Sequence, residues 1–236
     1  MNKFILGNSI DVLTQMKENN VMVDCLLTDP PYGIQHKSNR SKKEDAITKR
    51  GIVNDGDNSL FIQKILALSY DVLKNNSHFY FFTRWDKIAE YYPMLDKYYK
   101  IKNVLIWDKM NHGSGDLTGA YANRYECIIY GMKGRRKLNE VEGKKRHQDI
   151  LQFSKVSSSK LLHPHQKPVD LISFLIKKST VENEIVLDPF GGAGTTVAAA
   201  HQTNRQSIVV ELDDFYYNNG IDNLTKQKVD FERSLI

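Results

Sequence analysis

The chain has 236 residues, of which 41% are hydrophobic and 26% are charged, a composition typical of a folded domain rather than a disordered chain. No apolar run is long enough to span a membrane, and Met1–Asn8 lacks the apolar core of a secretory signal. Cys25 and Cys127 stand far apart inside apolar runs, which argues against a disulfide framework or a thiolate metal site. The sequence therefore predicts a cytoplasmic protein with no membrane partner.

The net charge of +5 is concentrated in two windows. Residues 37–50 hold six basic and two acidic side chains, and residues 133–146 hold seven basic and two acidic ones, which leaves −4 on the rest of the chain. A mildly acidic body with two basic segments suggests a polyanionic partner, because Lys and Arg that pair with phosphates release condensed counterions. Solvated loops would give the same pattern, so the charge alone does not decide between the two interpretations.

Short apolar runs that alternate with helix-period segments predict a mostly parallel sheet with helices on both faces. The seven predicted strands are Lys3–Leu6, Asp24–Thr28, His78–Phe82, Asn103–Trp107, Cys127–Tyr130, Glu184–Leu187 and Ser207–Glu211. The predicted helices are Asn58–Asn75 with Asn58 or Ser59 as its cap, Trp85–Tyr99 with Pro93 inside it, Lys167–Thr180 with Pro168 in its first turn, and Thr195–Thr203. The pair Asn103–Trp107 and Cys127–Tyr130 is separated by a glycine-rich loop, which predicts an antiparallel edge hairpin.

The domain prediction is a single α/β domain over residues 1–236. Its two long connections, residues 33–57 and 131–162, hold the basic windows. Connections of this length are commonly functional, so both are interpreted as insertions into the domain.

The first motif with chemical content is Asp29-Pro-Pro-Tyr-Gly33, which directly follows a predicted strand. In open α/β sheets, the loops that leave the carboxyl ends of strands bind ligands. The Asp29 carboxylate and the Pro30 carbonyl could each accept one N–H of an exocyclic amine, while Tyr32 stacks on the attached ring. Two such acceptors would localise the nitrogen lone pair that the ring otherwise delocalises. A simple proline-rich turn is the alternative interpretation.

The second motif is Asp188-Pro-Phe-Gly-Gly-Ala-Gly-Thr-Thr196, which follows a predicted strand and opens a helix. Its glycines allow close approach of a ligand to the backbone, and the helix amino terminus supplies unpaired N–H groups. Glu211 ends the next strand 20 residues after Gly191, the spacing at which an acid accepts both hydroxyls of a ribose. The pattern predicts an adenosine-containing cofactor and leaves NAD and S-adenosylmethionine both open.

The two motifs together resemble the DNA amino-methyltransferases, which use S-adenosylmethionine. The segment His163-Pro-His-Gln-Lys-Pro168 is similar to the motif that precedes the cofactor strand in the β-class of that family. The circularly permuted motif order, with the catalytic motif first and the cofactor motif last, matches as well. The resemblance covers nearly the whole chain and implies a three-layer Rossmann-like methyltransferase fold with a seven-stranded sheet.

The resemblance also implies a role for each matching residue. Asp29, Pro30, Pro31 and Tyr32 would hold a flipped-out base, Glu211 would bind the ribose and Lys167 would reach the methionine carboxylate. The implied cofactor-binding residues are Asn8, Ser9, Asp29, His165, Gln166, Lys167, Asp188, Pro189, Phe190, Gly191, Gly192, Gly194, Thr195, Thr196, Glu211 and Leu212. The implied DNA-binding residues are Lys37, Arg40, Lys42, Lys43, Lys49, Arg50, Arg135, Arg136, Lys144, Lys145 and Arg146. No metal is expected, because His163 and His165 have no acidic or cysteine partner at ligand spacing.

The implied activity is transfer of a methyl group from S-adenosylmethionine to N6 of an adenine flipped out of double-stranded DNA. The nearest alternative is N4-methylation of cytosine, although family members with that specificity more often carry serine at the position of Asp29. An RNA substrate, an NAD-dependent oxidoreductase and a non-catalytic DNA-binding subunit remain further alternatives. A homodimer and a cognate restriction endonuclease stay open as partners.

Overall fold

The computed structural model describes residues 1–31, 59–111, 119, 121–157, 161–163 and 165–235. The strands are β1 (Asn2–Leu6), β2 (Val23–Thr28), β3 (Leu73–Thr83), β4 (Lys100–Asp108), β5 (Tyr125–Lys133), β6 (Ile150–Gln152), β7 (Ile185–Asp188), β8 (Gln206–Glu211) and β9 (Phe231–Glu232). The α-helices are α1 (Ser9–Glu18), α2 (Ser59–Val72), α3 (Ile88–Asp96), α4 (Val169–Ser179), α5 (Thr195–Gln202) and α6 (Asp214–Lys226). In these ranges no helix combines the length and the hydropathy needed to cross a bilayer.

One sheet contains all nine of these strands, in the order β6-β4-β5-β3-β2-β7-β8-β1-β9. Neighbouring strands pair in parallel except around β5, which runs antiparallel to both β3 and β4. The mostly parallel sheet with an antiparallel pair is therefore confirmed. The predicted count of seven strands is too low, because β6 and β9 contain only three and two residues and carry no readable alternation.

The antiparallel pair of β4 and β5 is not the edge of the sheet, which corrects its predicted position. Ile150 of β6 aligns with Ile106 of β4, so β6 covers the outer side of β4 with parallel pairing. This pairing joins segments that are distant in sequence, and a three-residue strand is stabilised by its neighbour rather than by its own propensity.

Helices pack on both faces of the sheet, as the strand-helix alternation predicts. Along β2, Leu26 faces a core shared with α1, α2 and α3, whereas Cys25 and Leu27 face a core shared with α4 and α5. Every residue of β2 is buried, which is the pattern of a central parallel strand covered on both sides. The structure is thus a three-layer α/β fold.

Two helices, α1 and α6, were absent from the sequence prediction, and both begin at a capping side chain. Asn8 Oδ1 accepts a hydrogen bond from the backbone N–H of Ile10 at 2.9 Å, and Asp213 Oδ1 accepts one from Phe215 at 2.9 Å. The four predicted helices are present with shifted ends. The one predicted over Lys167–Thr180 begins at Val169 with Pro168 as its N-cap.

The topology brings the chemically interesting residues to one edge. The strands β2, β7 and β8 are neighbours and end at the same side of the sheet, so Asp29, Asp188 and Glu211 follow or end adjacent strands. Because β5 runs in the opposite direction, its first residues reach this edge too, and Glu126 aligns with Trp107 near the end of β4.

Candidate active site

An open cleft at this carboxyl edge of the sheet contains residues from all three sequence motifs. The predicted site residues that line it are Asn8, Ser9, Asp29, Pro30, Pro31, His165, Gln166, Lys167, Asp188, Pro189, Phe190, Gly191, Gly192, Thr195, Thr196, Glu211 and Leu212. Tyr32 and the basic residues Lys37, Arg40, Lys42, Lys43, Lys49 and Arg50 lie outside the described residues. The cleft therefore joins the segment after β2 to the glycine-rich turn after β7.

A chain of alternating charges occupies the wall of the cleft beside Asp29. The Nζ atom of Lys167 donates a hydrogen bond to Oδ2 of Asp29 at 2.5 Å and forms an ion pair with Oε2 of Glu126 at 3.1 Å. The other oxygen of Glu126, Oε1, lies 2.7 Å from Nζ of Lys109. Two carboxylates and two ammonium groups are thus arranged in alternation.

This arrangement fixes the ionisation of its buried members. Burial disfavours a charged ammonium, but the carboxylates of Asp29 and Glu126 hold the pKa of Lys167 above its usual value. Burial would likewise raise the pKa of Glu126, but the ammonium groups of Lys167 and Lys109 hold it well below its usual range. Lys167 and Glu126 are both charged at neutral pH.

The carboxylate of Asp188 stabilises the turn that follows β7. Its Oδ1 accepts a hydrogen bond from the backbone N–H of Phe190 at 3.0 Å, and its Oδ2 accepts one from the Thr196 hydroxyl at 2.6 Å. Burial raises the pKa of Asp188 to about 6, against the lowering effect of these hydrogen bonds. Asp188 and Thr196 line the cleft, and both also connect the end of β7 to the first turn of α5.

Glycines of the second motif occupy positions that other residues would disturb. A Cβ atom on Gly191 would lie 2.3 Å from Cγ1 of Val209 in β8, which is a severe overlap. Gly192 and Gly194 have positive φ angles of 52° and 75°, a conformation that glycine adopts readily. Gly194 is the N-cap of α5 and is not among the residues that line the cleft.

Glu211 ends β8 and closes the glycine-rich turn from the side. Its Oε2 accepts a hydrogen bond from the backbone N–H of Gly192 at 2.7 Å, and its Oε1 accepts one from Asp213 at 2.8 Å. Burial raises the pKa of Glu211 to about 7, although both hydrogen bonds favour the ionised form. The carboxyl group therefore titrates near neutral pH.

The segment before α4 forms another wall of the cleft. The ring of His163 packs edge-on against Tyr216 with centroids 4.3 Å apart, and burial lowers the pKa of His163 to about 3. Gln166 uses Oε1 to accept a hydrogen bond from the backbone N–H of Leu162 at 2.9 Å. The imidazole of His163 is therefore neutral. The described ranges contain no group of three or more potential metal ligands.

The turn before α1 borders the cleft from the direction of β1. The Asn8 side chain caps α1, and the Ser9 hydroxyl donates to the carbonyl of Pro189 at 2.5 Å. The second bond connects the amino end of α1 to the turn after β7. Asn8 therefore presents a hydrogen-bond acceptor at this border of the cleft.

The structure does not bring the second basic window to the cleft. The strand β5 runs antiparallel to β3, so it ends on the side of the sheet where the parallel strands begin. There the backbone N–H of Arg135 donates a hydrogen bond to Asn76 Oδ1 at 2.8 Å. Arg136 pairs there with Glu184 at 2.5 Å, and the buried Lys178 donates to the Lys145 carbonyl at 3.2 Å. The side chains of Lys144 and Arg146, in the same basic window, are exposed.

Several residues that line the cleft were not among the predicted site residues. Trp85 lies in a short 3-10 turn after β3 and is 61% exposed, and Tyr125 at the start of β5 is 42% exposed. Lys109 and Glu126 belong to segments that flank the predicted hairpin, and this position was the available clue. Trp85 carried no such clue, because its direction depends on how the chain leaves β3.

Comparison with known proteins agrees with the fold and the motifs. The sequence matches the N6/N4 DNA methylase family over residues 23–222. The putative methylase YubD of Escherichia coli strain K12 is 30% identical over 221 residues, which cover 93% of this chain and 88% of that protein.

Two solved structures share the fold at low sequence identity. The structure of the M1.HpyAVI–SAM complex superimposes with a TM-score of 0.76 at 22% identity and covers 95% of this chain and 99% of its own. The cytosine-N4-specific PvuII DNA methyltransferase superimposes with a TM-score of 0.74 at 15% identity and covers 99% of this chain and 95% of its own.

The fold and the cleft define a Rossmann-like enzyme of the methyltransferase class. The family match extends over most of the chain and includes all three sequence motifs that line the cleft. The chain belongs to the DNA methylase family, whose members modify either N6 of adenine or N4 of cytosine.

Proposed function

We propose that this DNA methyltransferase transfers a methyl group from S-adenosylmethionine to N6 of an adenine flipped out of duplex DNA. The observation that carries the proposal is the shared cleft of Asp29, Pro30 and Glu211. One cavity therefore holds two acceptors for the N–H groups of an amine. It also holds an acid at the spacing that suits a ribose. The target amine lies inside the double helix, so the base has to leave the stack before it can reach this cavity.

The residues of the cleft fit S-adenosylmethionine by their chemistry. The carboxylate of Glu211 suits the ribose hydroxyls, and Phe190 offers an apolar surface at the turn after β7. A neutral His163 imposes no repulsion on a cationic cofactor. When bound, the cofactor supplies an electrophilic methyl group and is left as S-adenosylhomocysteine.

Asp29 and Pro30 would activate and orient the amine. Acceptors for its two N–H groups pull the nitrogen toward a tetrahedral shape, which localises the lone pair for attack. A nitrogen that has gained a methyl group carries positive charge and loses a proton readily. Asp29 therefore needs to accept a hydrogen bond and does not need to be a strong base, so positioning carries much of the rate.

Adenine is proposed as the base because Asp29 stands where cytosine-specific members of the family more often have serine. Methylation of cytosine N4 is the second candidate, since the same two acceptors suit either amine. The similarity to the cytosine-N4-specific PvuII enzyme is a likeness of fold and leaves both bases open.

The proposal is tested by incubating the purified chain with unmethylated duplex DNA and S-adenosylmethionine labelled in its methyl group. We expect transfer of label to DNA, and we expect Asp29→Ala to reduce the rate about 100-fold or more. Calorimetry should show that this variant keeps its affinity for the cofactor. Full turnover by Asp29→Ala would contradict the assigned role, and affinity for NAD without affinity for S-adenosylmethionine would contradict the cofactor.

A further inference from the structure

The ammonium group of Lys167 is surrounded by three oxygen atoms. Oδ2 of Asp29 lies 2.5 Å from Nζ, Oε2 of Glu126 lies 3.1 Å away and the His165 carbonyl oxygen lies 3.2 Å away. Lys167 donates hydrogen bonds to Asp29 and to the His165 carbonyl, whereas its contact with Glu126 is an ion pair in which Oε2 accepts no hydrogen bond. The side chain of Lys167 is only 6% exposed.

These contacts join three parts of the chain that lie far apart in sequence. Asp29 follows β2, Glu126 belongs to β5 and Lys167 stands two residues before α4. The Asp29 and Glu126 side chains are 19% and 15% exposed, so the cluster is largely withdrawn from water. Removing charged groups from water is costly unless each finds a partner of opposite sign, and here each does.

We propose that Lys167 and Glu126 are positioning residues for Asp29, and that Lys167 serves the amine side of the cleft rather than the cofactor carboxylate. The proposal rests on the proposed function, because it concerns the acceptor for the target amine. It also replaces the role that the family resemblance implies for Lys167. The geometry favours this assignment because Lys167 donates to Asp29 and His165 and lies within ion-pair distance of Glu126.

Glu126 shares the ammonium charge of Lys167 with Asp29, which limits how strongly Lys167 attracts the Asp29 carboxylate. Because Lys167 lies between two carboxylates, its hydrogen bond helps to hold Asp29 in place while Glu126 balances part of the ammonium charge. Lys109 balances the second oxygen of Glu126 at 2.7 Å, which keeps this carboxylate charged. Asp29 thus stays a hydrogen-bond acceptor whose side chain is fixed by Lys167. Such fixing matters because small displacements at a reacting centre cost large factors in rate.

The test uses Lys167→Met, which removes the charge at similar length, and Glu126→Gln, which keeps the shape. For each variant, kcat at saturating cofactor, KM for DNA and the calorimetric Kd for S-adenosylmethionine are measured. We expect kcat to fall at least about 10-fold in both variants. The Kd for the cofactor should stay within about 2-fold of the wild type, and Lys167→Arg should recover part of the lost kcat.

Lys178→Met is a matched control for the loss of a buried lysine. Lys178 lies at the far end of α4, is 3% exposed and donates to the Asn139 carbonyl at 2.5 Å. We expect this variant to lower the melting temperature without changing kcat per folded molecule. The double variant Lys167→Met/Glu126→Gln should lose less than the product of the two single losses, because the groups contact each other.

Two outcomes would overturn the positioning role. The first is a Kd for S-adenosylmethionine at least about 10-fold weaker in Lys167→Met with kcat at saturating cofactor preserved, which would assign Lys167 to the cofactor. The second is transfer by the wild type with unchanged kcat in both variants. If Lys167→Met does not fold, Glu126→Gln decides the question alone. Absence of transfer by the wild type would instead overturn the proposed function, and the positioning role with it.

Discussion

The backbone N–H of Gly192 donates a hydrogen bond to Oε2 of Glu211 at 2.7 Å, so the acid that ends β8 is fixed to the turn that follows β7. A second bond, from Asp213 to Oε1, fixes the other oxygen. The acid proposed to bind the ribose is therefore held in place by the turn proposed to approach the same cofactor. A substitution of Glu211 therefore tests cofactor binding directly.

Substitution of Glu211 should weaken cofactor binding more than it weakens the fold. In Glu211→Gln one acceptor oxygen becomes an N–H donor that faces an N–H group, so both the turn and the ribose lose a partner. We expect the Kd for S-adenosylmethionine to rise about 10-fold or more, which corresponds to about 1.4 kcal/mol. Isothermal titration calorimetry measures this Kd, and an unchanged value would show that Glu211 does not bind the cofactor.

The affinity for cofactor should increase with pH across neutrality. Burial raises the pKa of Glu211 from 4.5 to about 7, and ribose hydroxyls donate best to an ionised carboxylate. If only the ionised form binds, the association constant rises about 10-fold between pH 6 and pH 8. Without cofactor the sign is opposite, because the folded state holds the proton more tightly and loses stability as pH rises from 4.5 to about 7.

Glu211→Gln is also the control for this pH profile. The pKa of Asp188, which burial raises to about 6, is expected to remain perturbed in the variant. Any contribution of Asp188 to the pH dependence would therefore persist. We expect a flat profile for Glu211→Gln, and a slope equal to that of the wild type would assign the titration to another group.

Much of the fold could be predicted because parallel strands buried on both faces leave a strong apolar signature. All seven predicted strands overlap observed ones, with β3 extending well beyond the predicted His78–Phe82. The short β6 was not predictable because its pairing with β4 depends on the path of the chain between them. Helix α1 was missed although Val12, Leu13 and Met16 form a buried stripe at helical spacing.

Gly191 should tolerate no side chain. A Cβ there would lie 2.3 Å from Val209, so Gly191→Ala has to displace β8 or the turn. We expect a loss of about 1–3 kcal/mol in the free energy of unfolding. Urea denaturation checks this value, with Gly7→Ala as control because its Cβ would meet Val12 at an ordinary 3.7 Å. Equal stability of the two variants would contradict the tight packing of the turn.

Trp85 should report DNA binding by its fluorescence. The chain has two tryptophans, and Trp107 is 2% exposed with its Nε1 donating to the Phe153 carbonyl at 2.7 Å. Trp85 lines the cleft with an exposed ring on which a base can stack. Duplex DNA should quench the emission, and Trp85→Phe should abolish the quenching while Trp107→Phe keeps it. Quenching retained in Trp85→Phe would contradict contact between Trp85 and DNA.

Stacking on Trp85 should also contribute to affinity. Stacking of a base on an aromatic side chain is worth about 1–3 kcal/mol, so Trp85→Ala should weaken DNA binding by roughly 5-fold to 150-fold. Fluorescence anisotropy of labelled duplex DNA measures this change. A Kd within 2-fold of the wild type would restrict Trp85 to a role outside the DNA contact.

Arg136 and Arg146 should behave differently although both lie in the same basic window. Arg136 donates to Glu184 at 2.5 Å with 18% of its side chain exposed, so Arg136→Met should cost about 1–3 kcal/mol of unfolding free energy. We expect no change in the salt dependence of DNA binding for this variant. Arg146→Met should leave stability unchanged, and a phosphate contact by Arg146 would lower the salt slope by about 1.

Measurement of the DNA Kd at several salt concentrations decides this comparison. A reduced salt slope for Arg136→Met with intact folding would show that the ion pair opens to bind DNA. Unchanged slopes for both variants would indicate that other basic residues make the phosphate contacts of this protein.

The motifs predicted which residues line the cleft, but not what each side chain contacts. The family resemblance implied that Lys167 reaches the cofactor, whereas its Nζ lies 2.5 Å from Asp29. That pairing depends on how β2 and β5 approach the segment before α4. Arg136 was likewise grouped with the exposed basic residues, because sequence does not show that reversal of β5 carries it to the opposite edge, beside Glu184.

The central claim is tested most directly by the identity of the methylated nucleoside. Unmethylated duplex DNA is treated with the purified chain and S-adenosylmethionine, digested to nucleosides and analysed by mass spectrometry. The account predicts N6-methyladenine, formed about 100-fold or more slowly by Asp29→Ala. N4-methylcytosine would contradict the assignment of adenine while keeping the amine chemistry, and methylation at a ring carbon would contradict the role of Asp29 and Pro30 as acceptors for an amine.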